Sequence, residues 1–222
     1  MPAAASPSRP WTYVGLAIAL LGIPILVFVY RQMAANPAAA GSVAIREIAI
    51  LAMVALLLWI VVSREKLPLS SIGLRFDGIW RSLAWGLAGA LLCAAGLAAI
   101  LTAFHFLGMS YGSGGGAISV SLWATTLTVA RAGIAEEVFY RGYAIERIEA
   151  LTGSRWMAAL IPLIPFAAFH YRQGVAGIAI ALFLGAILTA FYLWKRNLLA
   201  NIFAHFLVDF VPNVLLPLLG GD

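Results

Sequence analysis

Charged residues are scarce in this chain: Asp, Glu, Lys and Arg make up 10% of its 222 residues. An ordinary soluble domain has roughly 25% charged residues. Hydrophobic residues make up 63%, which is more apolar surface than a soluble fold can bury, so the composition excludes a soluble enzyme and a disordered tail. Cysteine is almost absent as well. The single Cys93 excludes an intramolecular disulfide, and with it a secreted scaffold held together by disulfides.

The sequence does contain long apolar runs, and a membrane-spanning helix needs about 20 mostly apolar residues. We predict seven spans, at approximately Trp11–Tyr30, Val43–Val62, Ser82–Leu107, Ile118–Tyr140, Trp156–His170, Gly174–Trp194 and Asn197–Leu218. The first run is longer than the roughly 7–15 apolar residues of a signal peptide, so we interpret it as a retained helix. The sequence therefore predicts an all-α fold, a polytopic transmembrane helical bundle that forms one integral-membrane domain over residues 1–222.

The basic residues are distributed unevenly between the predicted loops, and cytoplasmic loops are normally the ones rich in Lys and Arg. With the N-terminus in the cytoplasm, the inside segments contain Arg9, Arg64, Lys66, Arg75, Arg81, Arg141, Arg147, Arg155, Lys195 and Arg196. The outside segments contain only Arg31, Arg172 and the uncharged link Gly112–Gly116. We therefore predict a cytoplasmic N-terminus. The same bias explains the net charge of +5, so we expect the lipid bilayer, and no nucleic acid, as a partner.

The fourth run contains Glu136, Glu137 and Arg141. An ionisable side chain in lipid costs at least about 2.5–3.5 kcal/mol, so each one marks a candidate functional site. Glu137 and Arg141 are four residues apart and can form a structural ion pair along one helix face. Adjacent residues point about 100° apart on a helix, so this pairing leaves Glu136 free to face a cavity. Alternatively, all three lie at the helix end in headgroup water.

Two histidines also lie in apolar runs, and His205 is followed four residues later by Asp209, which can orient it. Glu136 lies 17 residues before Gly153, and His170 lies 17 residues after it. In an antiparallel hairpin centred on Gly153, the two therefore lie at the same depth. The alternative is that each histidine is only a hydrogen-bond partner between helices.

These residues form three motifs: Glu136-Glu137-Val-Phe-Tyr-Arg141, Phe166-Ala-Ala-Phe-His170 and His205-Phe-Leu-Val-Asp209. Together and in this order they resemble the EExxxR, FxxxH and HxxxN/D motifs of the CAAX-protease and bacteriocin-processing (CPBP) family of intramembrane endopeptidases. The resemblance covers about Ile118–Val211, which we predict to be the catalytic helical core (residues 118–211).

The resemblance implies hydrolysis of a peptide bond in a membrane-anchored or lipidated protein or peptide. It implies that Glu136 is the general base, that His170 positions the attacking water, and that His205 contacts the developing oxyanion or binds a metal. In a metal-dependent version, His170, His205 and Glu136 would bind Zn²⁺ with one position open. The sequence lacks the HExxH spacing that fixes two zinc ligands on one helix, so we favour a metal-free mechanism.

Many members of the family have Asn at the position of Asp209. An ionised carboxylate cannot donate to an oxyanion, so Asp209 must be protonated, orient His205, or bind a metal. Asn201, one turn before His205, is a possible oxyanion donor, although an Asn near a helix start is often only a local backbone partner.

Two other classes of function stay open: a non-catalytic immunity or scaffold protein of the membrane, and a proton-coupled transporter, which also has ionisable groups within the bilayer. We expect the bacterial cytoplasmic membrane as the location. We also expect the substrate to approach laterally or from the cytoplasmic side.

Overall fold

The computed structural model describes residues 9–76, 78–109 and 121–220, and these ranges contain helices and no strand. The helices are α1 (Arg9–Met33), α2 (Ala40–Trp59), α3 (Ile79–Phe106), α4 (Leu122–Glu136), α5 (Glu146–Thr152), α6 (Arg155–Ala168), α7 (Gly174–Lys195), α8 (Leu198–Phe210) and α9 (Leu216–Leu218). Three π-helical segments, Ile60–Arg64, Glu137–Ile145 and Val211–Leu215, follow α2, α4 and α8, and 3₁₀ turns occupy Leu69–Ile72 and Phe169–Gln173. The predicted all-α class is confirmed. The link Gly112–Gly116 lies outside the described residues.

Five helical stretches in the described part of the chain are long and apolar enough to cross a membrane: Arg9–Met33, Ala40–Arg64, Ile79–Phe106, Arg155–Lys195 and Leu198–Leu218. The fourth of these contains both α6 and α7, which pack against each other, so the chain reverses direction between them. The helix α4 is not among the five. It contains Arg131 and Glu136, both of which are buried between helices. The number of seven spans and the side of the N-terminus stay predictions.

Tight turns between the later helices are built by a few local residues. Gly153 ends α5 with a φ of 69°, in the left-handed region that glycine adopts without strain. The side chain of Ser154 then accepts a hydrogen bond from the Met157 amide and caps α6. The side chain of Asn197 caps α8 in the same way, through the Ala200 amide. The hairpin therefore has Gly153 at its turn, as the sequence predicts.

One end of the bundle gathers the basic segments between α2 and α3, between α5 and α6, and between α7 and α8; we call it the basic end. The amide of Leu198 donates to the Gly73 carbonyl at 2.9 Å, and Arg196 bonds Glu146 at 2.6 Å and also bonds Glu149. Partial burial of Arg196 opposes its charge, but the hydrogen bonds to Glu149 and Glu146 outweigh this and raise its pKa. These segments, which the charge bias places on one side of the membrane, meet at one end of the fold.

Helix α8 is held closely between α3 and α4 by glycines. A Cβ on Gly86 would lie 2.8 Å from the carbonyl oxygen of Ala200, and one on Gly133 would lie 3.1 Å from the backbone nitrogen of Phe206. Small residues of this kind allow helices in a membrane to approach each other. They set the position of His205, which α8 contributes to the site. Large apolar side chains such as Trp80 and Val175 remain exposed on the outside, where lipid would cover them.

Candidate active site

The carboxylate of Glu137 joins residues from two helices at the centre of the bundle. Glu137 is fully buried at the start of the π-helical segment Glu137–Ile145. It accepts hydrogen bonds from Arg141 Nη1 at 2.8 Å and from Asn201 Nδ2 at 3.1 Å, and its Oε1 lies 2.7 Å from His205 Nδ1. A buried charge is tolerated when it is paired and hydrogen-bonded in this way. Glu137 therefore holds His205 in place and is not available as a base.

Arg141 extends this centre to α6 and α7. Its Nη2 donates to the Gly185 carbonyl at 3.0 Å, and its guanidinium carbon lies 4.1 Å from the centre of the Phe166 ring. The arginine and the phenylalanine of two different motifs are thus in direct contact, through a cation–π interaction. The segment that contains Arg141 is π-helical, a conformation that often occurs at functional sites.

Phe166 also packs against both histidines of the site. Its ring centre lies 5.3 Å from that of His170 and 6.2 Å from that of His205. The Nδ1 atom of His170 lies 2.9 Å from the Phe166 carbonyl oxygen. Because a carbonyl only accepts, Nδ1 carries the hydrogen, and in a neutral ring Nε2 is then an acceptor, with no hydrogen-bond partner among the described residues. The motif FxxxH thus orients its own histidine.

His205 has a carboxylate near each ring nitrogen. Glu137 lies at 2.7 Å from Nδ1, and Asp209 Oδ2 lies at 3.5 Å from Nε2. The sequence predicts Asp209 as the residue that orients His205, but the shorter contact is made by Glu137, from another helix. Asp209 is also the more exposed of the two carboxylates, with 34% of its side chain accessible.

Glu136 has a partner that the sequence interpretation did not give it. Arg131 Nη1 donates to Glu136 Oε1 at 3.0 Å. Arg131 also bonds the fully buried Glu47 of α2 through Nε, and Glu47 accepts from Thr128 at 3.2 Å and from Arg46. The spacing rules for helix faces do not cover a pair five residues apart such as Arg131 and Glu136, and contacts to α2 cannot be read from the motifs. One signal was present: Glu47 lies inside the second apolar run, where every ionisable residue is a candidate.

A cavity of about 660 Å³ lies beside this centre. His170, His205 and Asp209 line it, together with Ala132, which lies one turn before Glu136 on the same helix face. Glu136 itself is not among the described residues that line the cavity, and it is buried. The structure therefore places three of the four predicted catalytic residues on one cavity, with the fourth beside its wall.

The cavity extends away from the basic end of the bundle. Its lining includes the exposed residues Ala38, Gln173 and Asn213, which lie in the connections α1–α2 and α6–α7 and after α8, all at the opposite end. A cytoplasmic basic end and entry of substrate from the cytoplasmic side are therefore incompatible, whereas lateral entry is compatible with either orientation. If the basic end is cytoplasmic, substrate does not enter the cavity from the cytoplasmic side.

Asn201 uses its amide within the protein. Both of its N–H donors are engaged, one with Glu137 at 3.1 Å and one with the Leu188 carbonyl at 2.9 Å. Its position is that of a support for Glu137. The expected role as an oxyanion donor would require one of these two bonds to break.

No group of three or more His, Cys, Asp or Glu side chains within the described ranges is arranged to hold a metal ion. Glu136 is bonded to Arg131, and the nitrogens of His205 face Glu137 and Asp209. As arranged here, the residues considered as zinc ligands do not form a zinc site.

The apolar exposed helices and the buried ionisable centre define an integral membrane protein of the all-α class. The family model described as type II CAAX prenyl endopeptidase, Rce1-like, matches residues 117–211. This match confirms the family that the three motifs indicate, over the part of the chain that contains all of them, and it points to a membrane protease. Comparisons with curated proteins and with solved structures give no match.

Proposed function

We propose that this chain is an intramembrane endopeptidase that hydrolyses a peptide bond in a membrane-anchored or lipidated protein or peptide of the bacterial cytoplasmic membrane. The observation that carries the proposal is the meeting of three motifs from separate helices beside one cavity. Arg141 and Phe166 are in contact, Glu137 binds His205, and Phe166 packs on His170. A purely structural set of polar residues would not require two histidines to line the same cavity.

In the proposed reaction, Glu136 takes a proton from a water molecule whose oxygen attacks the carbonyl carbon of the scissile bond. The free Nε2 acceptor of His170 positions this water. Negative charge then develops on the carbonyl oxygen. As the tetrahedral intermediate collapses, the C–N bond breaks and the leaving amine takes the proton from Glu136. Arg131, bonded to Glu136, holds the carboxylate in place through this sequence.

His205 is proposed to donate from Nε2 to the developing oxyanion. Glu137 fixes the ring through Nδ1, and Asp209, 3.5 Å from Nε2, keeps this nitrogen protonated as a donor. Asp209 thus acts through His205, in agreement with the orienting role that the resemblance leaves open to a carboxylate.

The experiment that tests the proposal compares membrane proteomes by terminal-peptide mapping in cells with the wild-type protein, with Glu136→Gln, or with Glu149→Gln. Glu136→Gln keeps the size of the side chain and removes the base. Glu149→Gln is the matched control, because this glutamate pairs with Arg196 at the basic end, away from the cavity. We expect specific termini in the wild type and the control that are missing in Glu136→Gln. Identical termini in all three, with stable protein, would contradict the proposal and favour a non-catalytic immunity or scaffold role.

A further inference from the structure

Two polar atoms of this otherwise well-paired centre have no hydrogen-bond partner among the described residues: the Tyr140 hydroxyl and Asn201 Oδ1, of which only the hydroxyl can donate. Tyr140 is buried, with 2% of its surface accessible, and its hydroxyl has no hydrogen-bond partner among the described residues. Leaving a buried hydroxyl unpaired destabilises a fold, and native proteins do so rarely. Such a group therefore calls for a reason beyond packing.

Tyr140 borders the candidate site and, like Glu136, is not among the described residues that line the cavity. It follows Glu136 by four residues, and its ring centre lies 5.5 Å from that of Phe166, the residue that packs against both histidines. Tyr140 thus lies about one helical turn after the proposed base, in contact with the ring that packs against both histidines.

Tyr143, in the same π-helical segment, provides the contrast. It is fully buried, and its hydroxyl donates to Glu65 at 2.8 Å, toward the basic end. A buried tyrosine of this segment can therefore have a hydrogen-bond partner for its hydroxyl, and Tyr143 has one at a position away from the candidate site.

We propose that Tyr140 is a further catalytic residue, whose hydroxyl donates a hydrogen bond to the carbonyl oxygen of the scissile peptide bond as negative charge develops there. The inference rests on the proposed function. The O–H bond does not break in this step; it supplies a second donor beside His205, whereas both donors of Asn201 are engaged. A neutral O–H donor that has no partner before substrate arrives is ready to serve a charge that exists only during the reaction.

The test compares Tyr140→Phe with Tyr143→Phe. Each change removes one hydroxyl from a buried tyrosine of the same segment. The membrane protein whose new terminus depends on Glu136 serves as substrate, and two quantities are measured: the rate at which the terminus forms per folded enzyme, and the unfolding temperature of the purified protein in detergent. We expect Tyr140→Phe to be slower by on the order of 100-fold, with an unchanged or higher unfolding temperature. For Tyr143→Phe we expect a lower unfolding temperature and a nearly normal rate.

A wild-type rate in Tyr140→Phe, with Glu136→Gln inactive, would overturn this inference and leave the proposed function standing. A fall in the unfolding temperature of Tyr140→Phe as large as that of Tyr143→Phe would also overturn it, because it would mean that the hydroxyl is paired in the fold. If Glu136→Gln forms the same termini as the wild type, the proposed function fails and the catalytic role of Tyr140 fails with it.

Discussion

Arg131 donates from Nη1 to the carboxylate of Glu136 at 3.0 Å, and Nε of the same guanidinium donates to the carboxylate of Glu47 in α2. Arg131 is therefore shared between two carboxylates, both of them buried. The chain of alternating charges links the proposed base to a helix outside residues 117–211, the part that matches the family model. The first half of the chain thus contributes directly to the position of Glu136.

The first prediction concerns Glu47. In Glu47→Gln, Arg131 loses one of its two anionic partners, and its charge is balanced by Glu136 alone, so the carboxylate of Glu136 is held more tightly in the ion pair and is less free to act in the reaction. We expect proteolysis to slow by roughly 10-fold, an effect on the order of 1.4 kcal/mol, with little change in the apparent KM. The measurement is the rate of formation of the Glu136-dependent terminus over a range of substrate concentrations.

Glu65→Gln is the matched control for Glu47→Gln. Glu65 is also a buried carboxylate bonded to an arginine, Arg147, but it lies at the basic end. Its exchange is expected to lower stability while the rate per folded enzyme is retained. Equal rates in Glu47→Gln and Glu65→Gln would show that Glu47 has a structural role only.

The second prediction concerns the buried pair Glu137–Arg141. In Arg141→Met, Glu137 loses its 2.8 Å ion pair in a fully buried position. Removing one partner of a buried pair costs about 3–5 kcal/mol, because the other charge is left uncompensated. We expect a marked fall in the unfolding temperature in detergent. The double variant Glu137→Gln with Arg141→Met should recover part of the loss, and a double variant less stable than Arg141→Met would contradict this explanation.

The sequence predicts the positions of the helices well, because the length of an apolar run is set by the thickness of the membrane and does not depend on neighbours. It also predicts the turn at Gly153, since a glycine between two apolar runs is a local signal. The contact between Glu137 and His205 could not be predicted in this way. It depends on how closely α8 approaches the segment after Glu136, which is a property of packing between helices.

The π-helical segment after Glu136 is a second reason why the contacts of the site could not be predicted from the sequence. An α-helix has 3.6 residues per turn, whereas the segment Glu137–Ile145 is π-helical and has a different set of facing residues. Glu137 and Arg141 still form their ion pair in the π-helical segment, because they lie on adjacent turns of one helix. The expectation that the Glu137–Arg141 pair leaves Glu136 free does not take account of Arg131, which donates to Glu136 from five residues earlier.

The third prediction concerns Asp209. In Asp209→Asn, the amide oxygen is still an acceptor for His205 Nε2, 3.5 Å from the present carboxylate oxygen, so orientation of the ring is largely kept. We expect a loss of activity of no more than about 10-fold, corresponding to one weakened hydrogen bond of about 1.4 kcal/mol. In Asp209→Leu no acceptor remains, and we expect a larger loss. The measurement is the rate of terminus formation in each variant, and equal losses in both would argue that the negative charge, and not the acceptor, is what His205 requires.

The last prediction decides on which side of the membrane the cavity opens. The single cysteine, Cys93, is fully buried, so the wild-type chain gives a low background for labelling with a membrane-impermeant maleimide. Gln173→Cys places a thiol at an exposed position on the cavity rim, and Thr152→Cys places one at an exposed position of the basic end. If the Lys and Arg bias sets the topology, we expect Gln173→Cys to react in intact cells and Thr152→Cys to react only after permeabilisation.

With that result the cavity opens outward, and the substrate presents its cleavage site within the outer half of the bilayer or beyond it. The reverse labelling would mean that the cavity opens on the cytoplasmic side. The buried ionisable centre, with its own arginines Arg131 and Arg141, would then outweigh the distribution of Lys and Arg in the loops as the determinant of topology.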